Sequence, residues 1–253
     1  MLAVKDDPVS VWLAIPSIRP PAEAKDCLDR WRAQGYKVAV LRQGEPIEAD
    51  LLIPTGEYLG WGRSTNILAK EVLRRDEFAH WIVGGGDDYW SDPGRDANAI
   101  ATDCCRHFAD LDSFAHCSWG VMQPTGDRWG DNESSRAAFG ENRGAEIDRI
   151  AGSPWMGREW CERAYLGNGP MPDFYHHLYI DEELQEVATL LGVFWQRRDL
   201  TQYHNHPCRQ EGYGVYQTGH LAPLYDPAAW NREKEIFETR KAKGFPGSEP
   251  LPR

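Results

Sequence analysis

The sequence lacks several features that would place it quickly. Its six cysteines, Cys27, Cys104, Cys105, Cys117, Cys161 and Cys208, form no C-x-x-C pair, and only Cys104 and Cys105 are adjacent. That excludes the common zinc-ribbon spacing and offers no disulfide framework. The cysteines read as reduced thiols of a cytoplasmic protein. No apolar run approaches the ~20 residues that a membrane span needs, so no membrane partner is expected. The opening residues, Met1 to Pro8, lack the apolar centre of a signal peptide. Neither G-x-x-x-x-G-K-[ST] nor G-x-G-x-x-G occurs, so a P-loop and a dinucleotide fingerprint are both unsupported. Positive charge is scarce: 28 Lys and Arg face 39 Asp and Glu, a net charge of −11. This disfavours broad electrostatic capture of nucleic acid and leaves room only for a local basic groove. Internal repeats are absent too.

What is present is a chain of 253 residues, 41% of them hydrophobic, enough for a sizeable core. Eleven tryptophans and ten tyrosines are many for this length. Most should pack in the core, and some can line a pocket for a flat or sugar-like ligand.

Strand-like and helix-like segments alternate. Val9–Ile15 is almost wholly apolar and fits a buried parallel strand stopped by Pro16-Ser17. Pro21–Gln34 has Ala24, Leu28 and Trp31 at helical spacing and ends at Gly35. Strands over Tyr36–Leu41, Asp50–Ile53 and His80–Val83 come next, with a helix from Ser64 to about Arg75 between the last two. Ser64 is the expected cap of that helix. A helix over Asp96–Phe108 precedes a strand at Gly120–Pro124. Later come a short helix at Arg158–Tyr165, a helix at Asp181–Leu191 capped by Asp181, and a strand at Val193–Arg197. Asp226-Pro227 opens a charged helix reaching about Lys243. The Pro/Gly-rich tail from Gly244 to Arg253 is expected to be loose. The alternation predicts an α/β fold, a mostly parallel sheet with helices on both faces. Residues 1–208 form the expected catalytic domain, and 209–253 a C-terminal extension. The polar stretch at about 125–150 is expected to be a flexible loop, either an active-site lid or a disordered insertion.

Four segments can carry chemistry. Asp87 and Asp88 come after the strand His80–Val83 and Gly84-Gly85-Gly86, which places them at the carboxyl edge of the sheet. Two adjacent carboxylates repel, so they are best kept near a cation or in water. A divalent ion shared with phosphate oxygens fits, and an acidic turn is the bland alternative. Next, Tyr203-His204-Asn205-His206 is extended, so its two histidines point the same way, as metal ligands alongside a carboxylate would. Third, Asp181 at a helix start is explained by capping. It can also face a cleft and take a proton from a hydroxyl, with His176 and His177 close before it. Fourth, Gly60-Trp61-Gly62-Arg63-Ser64-Thr65-Asn66 leads into a helix N-terminus with an arginine, a setting suited to phosphate.

In this order, the pieces resemble a GT-A glycosyltransferase. The carriers are the strand end at Pro16-Ser17, the loop-helix with Arg63 and Asn66, and the strand ending in Gly86-Asp87-Asp88, similar to the family's Asp-x-Asp metal motif. Asp181-Glu182-Glu183-Leu184 resembles the acidic helix that supplies a catalytic carboxylate, and His204 or His206 the late metal histidine. The likeness spans roughly residues 9–208. It departs from the family in the acidic motif, which reads Gly-Asp-Asp-Tyr. The resemblance implies a nucleotide-diphosphate sugar donor and a divalent cation, Mn²⁺ or Mg²⁺. It implies Asp88 with His204 or His206 as metal ligands, and Pro16, Ser17, Arg63, Asn66 and Asp87 on the donor side. Asp181 is the implied base of an inverting reaction; a retaining one needs none. Trp155 and His177 are the candidate acceptor contacts, with core packing the alternative for Trp155.

The acceptor hydroxyl has two readings. A small enzyme of this kind is similar to phage-type enzymes that glycosylate hydroxymethylated pyrimidines, making DNA a candidate acceptor. Arg128, Arg136, Arg143, Arg149, Arg158 and Arg163, interleaved with Trp129, Trp155 and Trp160, suit a phosphate backbone and an exposed base. Asp127, Asp131, Glu133, Glu141, Glu146 and Asp148 among them, and the net charge, favour a glycan or small molecule. A metal-dependent phosphoesterase and a non-catalytic nucleotide-sugar-binding domain are the readings from other classes. Oligomeric state is left open.

Overall fold

The computed structural model describes residues 9–111, 118–127, 152–205 and 226–252. In chain order the elements are β1 (Ser10–Ser17), α1 (Pro21–Ala33), β2 (Lys37–Gln43), β3 (Leu51–Thr55), α2 (Trp61–Arg75), β4 (Ala79–Val83), β5 (Tyr89–Trp90) and α3 (Ala97–Leu111). They continue as β6 (Val121–Pro124), β7 (Trp155–Gly157), α4 (Arg158–Gly167), α5 (Ile180–Leu190), β8 (Phe194–Arg197), β9 (Tyr203–His204) and α6 (Pro227–Ala242).

The main sheet has seven strands in the order β3-β2-β1-β4-β7-β6-β8. Its left half is parallel, with Leu13 opposite Val38 on one side and Val83 on the other. β7 runs antiparallel to both β4 and β6, and β8 is parallel to β6. The expected mostly parallel α/β sheet is thus present, with one reversed strand that the short apolar triplet Trp155–Gly157 did not announce.

Both faces of this sheet are covered, which is why its strands read as continuous apolar runs. Along β1, Val11, Leu13 and Ile15 pack with Cys27, Leu28 and Trp31 of α1 and Ile100, Cys104 and Phe108 of α3. The alternate residues Trp12 and Ala14 pack with Leu68, Ala69 and Val72 of α2 and Trp160 of α4. No disulfide joins the described cysteines Cys27, Cys104, Cys105 and Cys161. Among the described residues no helix is long and apolar enough to cross a membrane.

Three local expectations are corrected. Ser64 does not cap α2: the helix begins at Trp61 after Gly60, and the Ser64 hydroxyl donates back to the Gly60 carbonyl at 2.6 Å. Asp181 does not cap α5 either. Tyr179 holds that position at φ 63°, its ring stacked on Phe237 at 5.1 Å, which starts the helix one residue early. The C-terminal tail is not loose. Phe245 is buried, and the N–H groups of Leu166 and Leu251 donate to Glu249 and Arg163 carbonyls at 2.9 Å each. The Asp226 cap of α6 is as expected, accepting from the Ala228 N–H at 2.6 Å.

Candidate functional site

The parallel strands β1 and β4 are neighbours, and the segments that leave their carboxyl ends build the site; Val83 at the end of β4 stands opposite Leu13, and β1 runs on to Ser17. β4 stops at Val83, and three glycines lead to the acidic pair. Space is tight at Gly86: a Cβ on it would stand 2.6 Å from Asp88 Oδ1, which would have to turn away. The turn is held from below by α1, whose Trp31 indole N–H donates to the Tyr89 carbonyl at 2.7 Å.

A second strand pair then delivers a histidine from far along the chain. β5 and β9 are antiparallel, with Tyr89 opposite His204 and Trp90 opposite Tyr203. The Tyr89 ring stacks on His204 at 4.0 Å, and Trp90 stacks on Tyr203 at 5.0 Å. The Asn205 N–H donates to the Asp88 carbonyl at 2.8 Å. This ladder puts His204 Nε2 3.3 Å from Asp88 Oδ2. Two ligands at neighbouring corners of an octahedral ion, with bonds of about 2.1 Å, stand about 3 Å apart, so these two atoms fit one divalent cation. Among the described residues no three His, Cys, Asp or Glu side chains form a complete metal cluster. A cation here would draw its other ligands from water or substrate oxygens, as Mg²⁺-type sites do. His206 lies outside the described residues.

The loop after β1 supplies Arg19, which sequence reasoning missed. Its Nε lies 3.0 Å from Asp87 Oδ1 and its Nη2 3.6 Å from Asp88 Oδ2. Burial works against the Arg19 charge, but Asp88 and Asp87 outweigh it and hold the guanidinium above its ordinary pKa. Burial pushes the Asp87 carboxyl up; Asp88 adds to this, and the Ser17 hydroxyl and Arg19 oppose it. Arg42, also missed, fixes the loop. It is buried at the end of β2 opposite Ser17, and its Nη1 donates to the Ser17 hydroxyl at 2.8 Å. Its Nη2 donates to the Arg19 carbonyl, also at 2.8 Å. Ser17 and Asp87 therefore share one hydrogen-bonded network, with Pro16 the residue before Ser17 on β1. The Arg19–Asp87 pair spans 68 residues and leaves no local pattern to read.

His177 lies within electrostatic reach of Asp88. Its Nδ1 lies 2.8 Å from the Tyr58 hydroxyl, and the Tyr58 ring meets His176 edge-on at 5.3 Å. Burial lowers the His177 pKa to about 4, His176 adds to this, and the Asp88 charge opposes it. His177 is thus neutral at pH 7 and electrostatically coupled to Asp88. The backbone beside it is pressed on Gly60, which at φ 90° has its Cβ position only 2.3 Å from the His176 carbonyl oxygen. From the far side, Glu233 of α6 accepts the N–H groups of His176, His177 and Leu178 at 2.7, 3.2 and 2.5 Å. Phe174, His176, His177, Arg232, Glu233 and Ile236 line a groove of about 420 Å³ there.

The remaining candidates have contacts of their own. Asn66 is buried and commits its amide to the Met171 backbone, donating at 3.0 Å and accepting at 2.9 Å. Arg63 is exposed on the first turn of α2, near Asp173. Asp181 is half-buried in the first turn of α5, Oδ1 accepting the Glu182 N–H at 3.1 Å. Trp155 is fully buried on β7, its indole donating to Gln202 Oε1 at 2.6 Å; the structure places it in the core and not on the cleft wall. Of the arginine–tryptophan cluster, Arg158 is spent on Glu162 and on main-chain carbonyls between Leu73 and Ala79. Arg163 pairs with Glu159, and Trp160 is buried. The other arginines, Trp129 and most of the expected loop lie outside the described residues.

No protein-family model and no curated protein matches the sequence. Solved structures do. The chain is similar to a mannosyltransferase from Pyrobaculum calidifontis in complex with GDP-Man and Mn²⁺: 14% identity over 94% of this chain and 72% of that one, TM-score 0.52. The catalytic domain of Drosophila β1,4-galactosyltransferase 7, in complex with xylobiose, aligns at 11% identity over 85% of this chain and 79% of that one, TM-score 0.47. At the first of these similarities the likeness is one of fold, and the fold is of the GT-A type.

Proposed function

We propose that this protein is a metal-dependent glycosyltransferase that moves a sugar from a nucleotide-diphosphate donor to an acceptor hydroxyl. The observation that carries the reading is the convergence of Asp88 Oδ2 and His204 Nε2, 3.3 Å apart at the carboxyl edge of the parallel strands. That edge is where open α/β sheets bind ligands. The mannosyltransferase with this fold holds GDP-Man and Mn²⁺, which supports a nucleotide-sugar donor and a divalent cation here.

Asp88 and His204 would hold the cation. When bound, Mn²⁺ or Mg²⁺ offsets the charge that develops on the departing diphosphate. Arg19 faces the same position and offers a planar fork of N–H donors suited to phosphate oxygens. Asp87, Ser17 and Pro16 form the floor on which the donor ribose rests. Neutral His177, fixed by Tyr58, faces the acceptor, which enters along the groove beside it. In an inverting reaction the acceptor oxygen bonds to the anomeric carbon as the bond to the diphosphate breaks. The hydroxyl proton then passes to a carboxylate, for which Asp181 is the candidate. A hydroxymethylpyrimidine in DNA is the more specific acceptor; its basis is the arginines outside the described residues.

The test is thermal shift against a panel of nucleotide-diphosphate sugars, with and without Mn²⁺, for wild type and Asp88→Ala. A ligand bound only by the native state raises Tm by mass action. A metal-dependent rise with one donor, lost in Asp88→Ala, supports the reading and identifies the donor. No rise with any donor in a folded sample refutes it. Comparing transfer with hydrolysis of that donor separates a transferase from a phosphoesterase.

A further inference from the structure

The acidic pair already has a cation of its own. Asp87 and Asp88 are mostly shielded, with side chains 13% and 18% exposed, and like charges in such a place need a counter-ion. Arg19 provides it, with Nε on Asp87 and Nη2 toward Asp88 Oδ2. That oxygen is also the one that faces His204 Nε2, where a metal would bind. With a metal bound, one carboxylate oxygen would serve two cations. A guanidinium and a divalent ion side by side would repel.

Arg19 is anchored at its main chain and partly exposed along its side chain. Its carbonyl is held by Arg42 Nη2 at 2.8 Å, which fixes the root of the side chain. Its side chain is 28% exposed, with Glu23 3.6 Å from Nη1 as a further partner. A diphosphate entering the cleft offers the planar, bidentate acceptor that a guanidinium prefers.

We propose that Arg19 competes with the divalent cation for Asp88, and that the donor diphosphate ends the competition by drawing the guanidinium to itself. Metal and nucleotide then bind cooperatively, because each removes an obstacle to the other. The inference rests on the donor and metal reading above and adds a role for a residue outside the metal set.

The experiment is calorimetric titration of Mn²⁺ into wild type, Arg19→Gln and Arg19→Lys, each alone and with GDP or UDP present. In Arg19→Gln, Mn²⁺ alone should bind about tenfold tighter than in wild type, a magnitude usual for coupling between sites. GDP or UDP should tighten Mn²⁺ binding in wild type by about tenfold and by clearly less in Arg19→Gln. Arg19→Lys keeps the charge and should stay near wild type for Mn²⁺ alone. Asp88→Ala should abolish the nucleotide-free Mn²⁺ signal in every background, and with GDP or UDP leave only the heat of a protein-free blank, which ties the binding to this site. Arg19→Gln should also melt lower without metal and regain more on adding Mn²⁺ than wild type does. If wild type binds Mn²⁺ and nucleotide but Arg19→Gln binds Mn²⁺ alone no tighter, the competition is refuted and the donor reading stands. If wild type binds neither Mn²⁺ nor GDP nor UDP, the donor reading falls and the competition with it.

Discussion

Replacing Arg240 by alanine should test whether α6 is part of the site's frame. Arg240 forms a two-pronged pair with Glu183, Nε to Oε2 at 2.8 Å and Nη2 to Oε1 at 2.7 Å. Glu183 is 0% exposed, and the Tyr175 hydroxyl donates to its Oε2 at 2.5 Å. Arg240 also lies over the Phe174 ring at 3.3 Å. Truncation leaves a buried carboxylate with one neutral donor. Breaking a buried pair from one side costs about 3–5 kcal/mol. For a chain of this size each kcal/mol shifts Tm by about 2–4 °C, so the expected fall is roughly 6–20 °C. The measurement is thermal unfolding monitored by circular dichroism at neutral pH. A charge-free set, Glu183→Met with Arg240→Met and Tyr175→Phe, should recover most of the loss, because the penalty belongs to the unpaired charge. A loss below about 1 kcal/mol in Arg240→Ala would refute the reasoning, since exposed pairs give no more than that. So would a triple variant as unstable as the single one.

Glu233→Ala removes the acceptor of three N–H groups beside His177; acceptor KM should rise while the donor-dependent Tm shift is retained, and Glu233→Gln should restore part of the loss. His177 has a pKa lowered to about 4 by burial against an ordinary 6.5. The unfolded chain therefore takes up this proton first, so its contribution to stability is complete above pH 6.5 and is lost as pH falls toward 4. His177→Gln should flatten the stability–pH curve in that window, read from denaturant midpoints. Gly60→Ala meets both φ 90° and the His176 carbonyl, and should lose at least about 1–3 kcal/mol in chemical denaturation. Trp155→Phe should cost about 1–3 kcal/mol through the unpaired Gln202 oxygen and lost volume, with acceptor KM unchanged in the transfer assay. A raised acceptor KM in Trp155→Phe would restore it as an acceptor contact.

The fold was legible where burial on both faces left a mark. β1, β2 and β4 are apolar runs because α1 and α3 cover one side and α2 and α4 the other, and that pattern needs no long-range knowledge. β7 was not legible: three residues cannot establish a period, and its pairing with β4 and β6 is set by tertiary contact. The caps misled for a related reason. Serine and aspartate near a helix start are good local signals, but Gly60 and Tyr179 hold those positions because each is pinned by a partner far away. For Gly60 it is the His176 backbone, and for Tyr179 the Phe237 ring. The tail reads as loose by composition, yet Phe245 is buried, since apolar burial outweighs Pro/Gly content where a surface is waiting for it.

The site divides the same way, and the division says what kind of residue a single sequence can reveal. Asp87 and Asp88 were visible because a charged doublet after an apolar strand is locally costly and therefore conspicuous. His204 was visible for its position past a strand. Arg19 and Arg42 were not, because an arginine is locally ordinary; its meaning comes from what it pairs with, 68 residues away for Arg19 and Asp87. Adjacent carboxylates this shielded are favoured by a cationic partner, and the doublet pointed to one. Read from sequence alone, that cation is a metal, with an acidic turn in water the alternative. The structure gives part of the answer to the protein: the Arg19 guanidinium pairs with both carboxylates, and in the proposed site a divalent ion would contend with it. A site arranged so would bind its metal weakly alone and firmly with the nucleotide. It would then assemble its full charge set only when the leaving group that needs it has arrived.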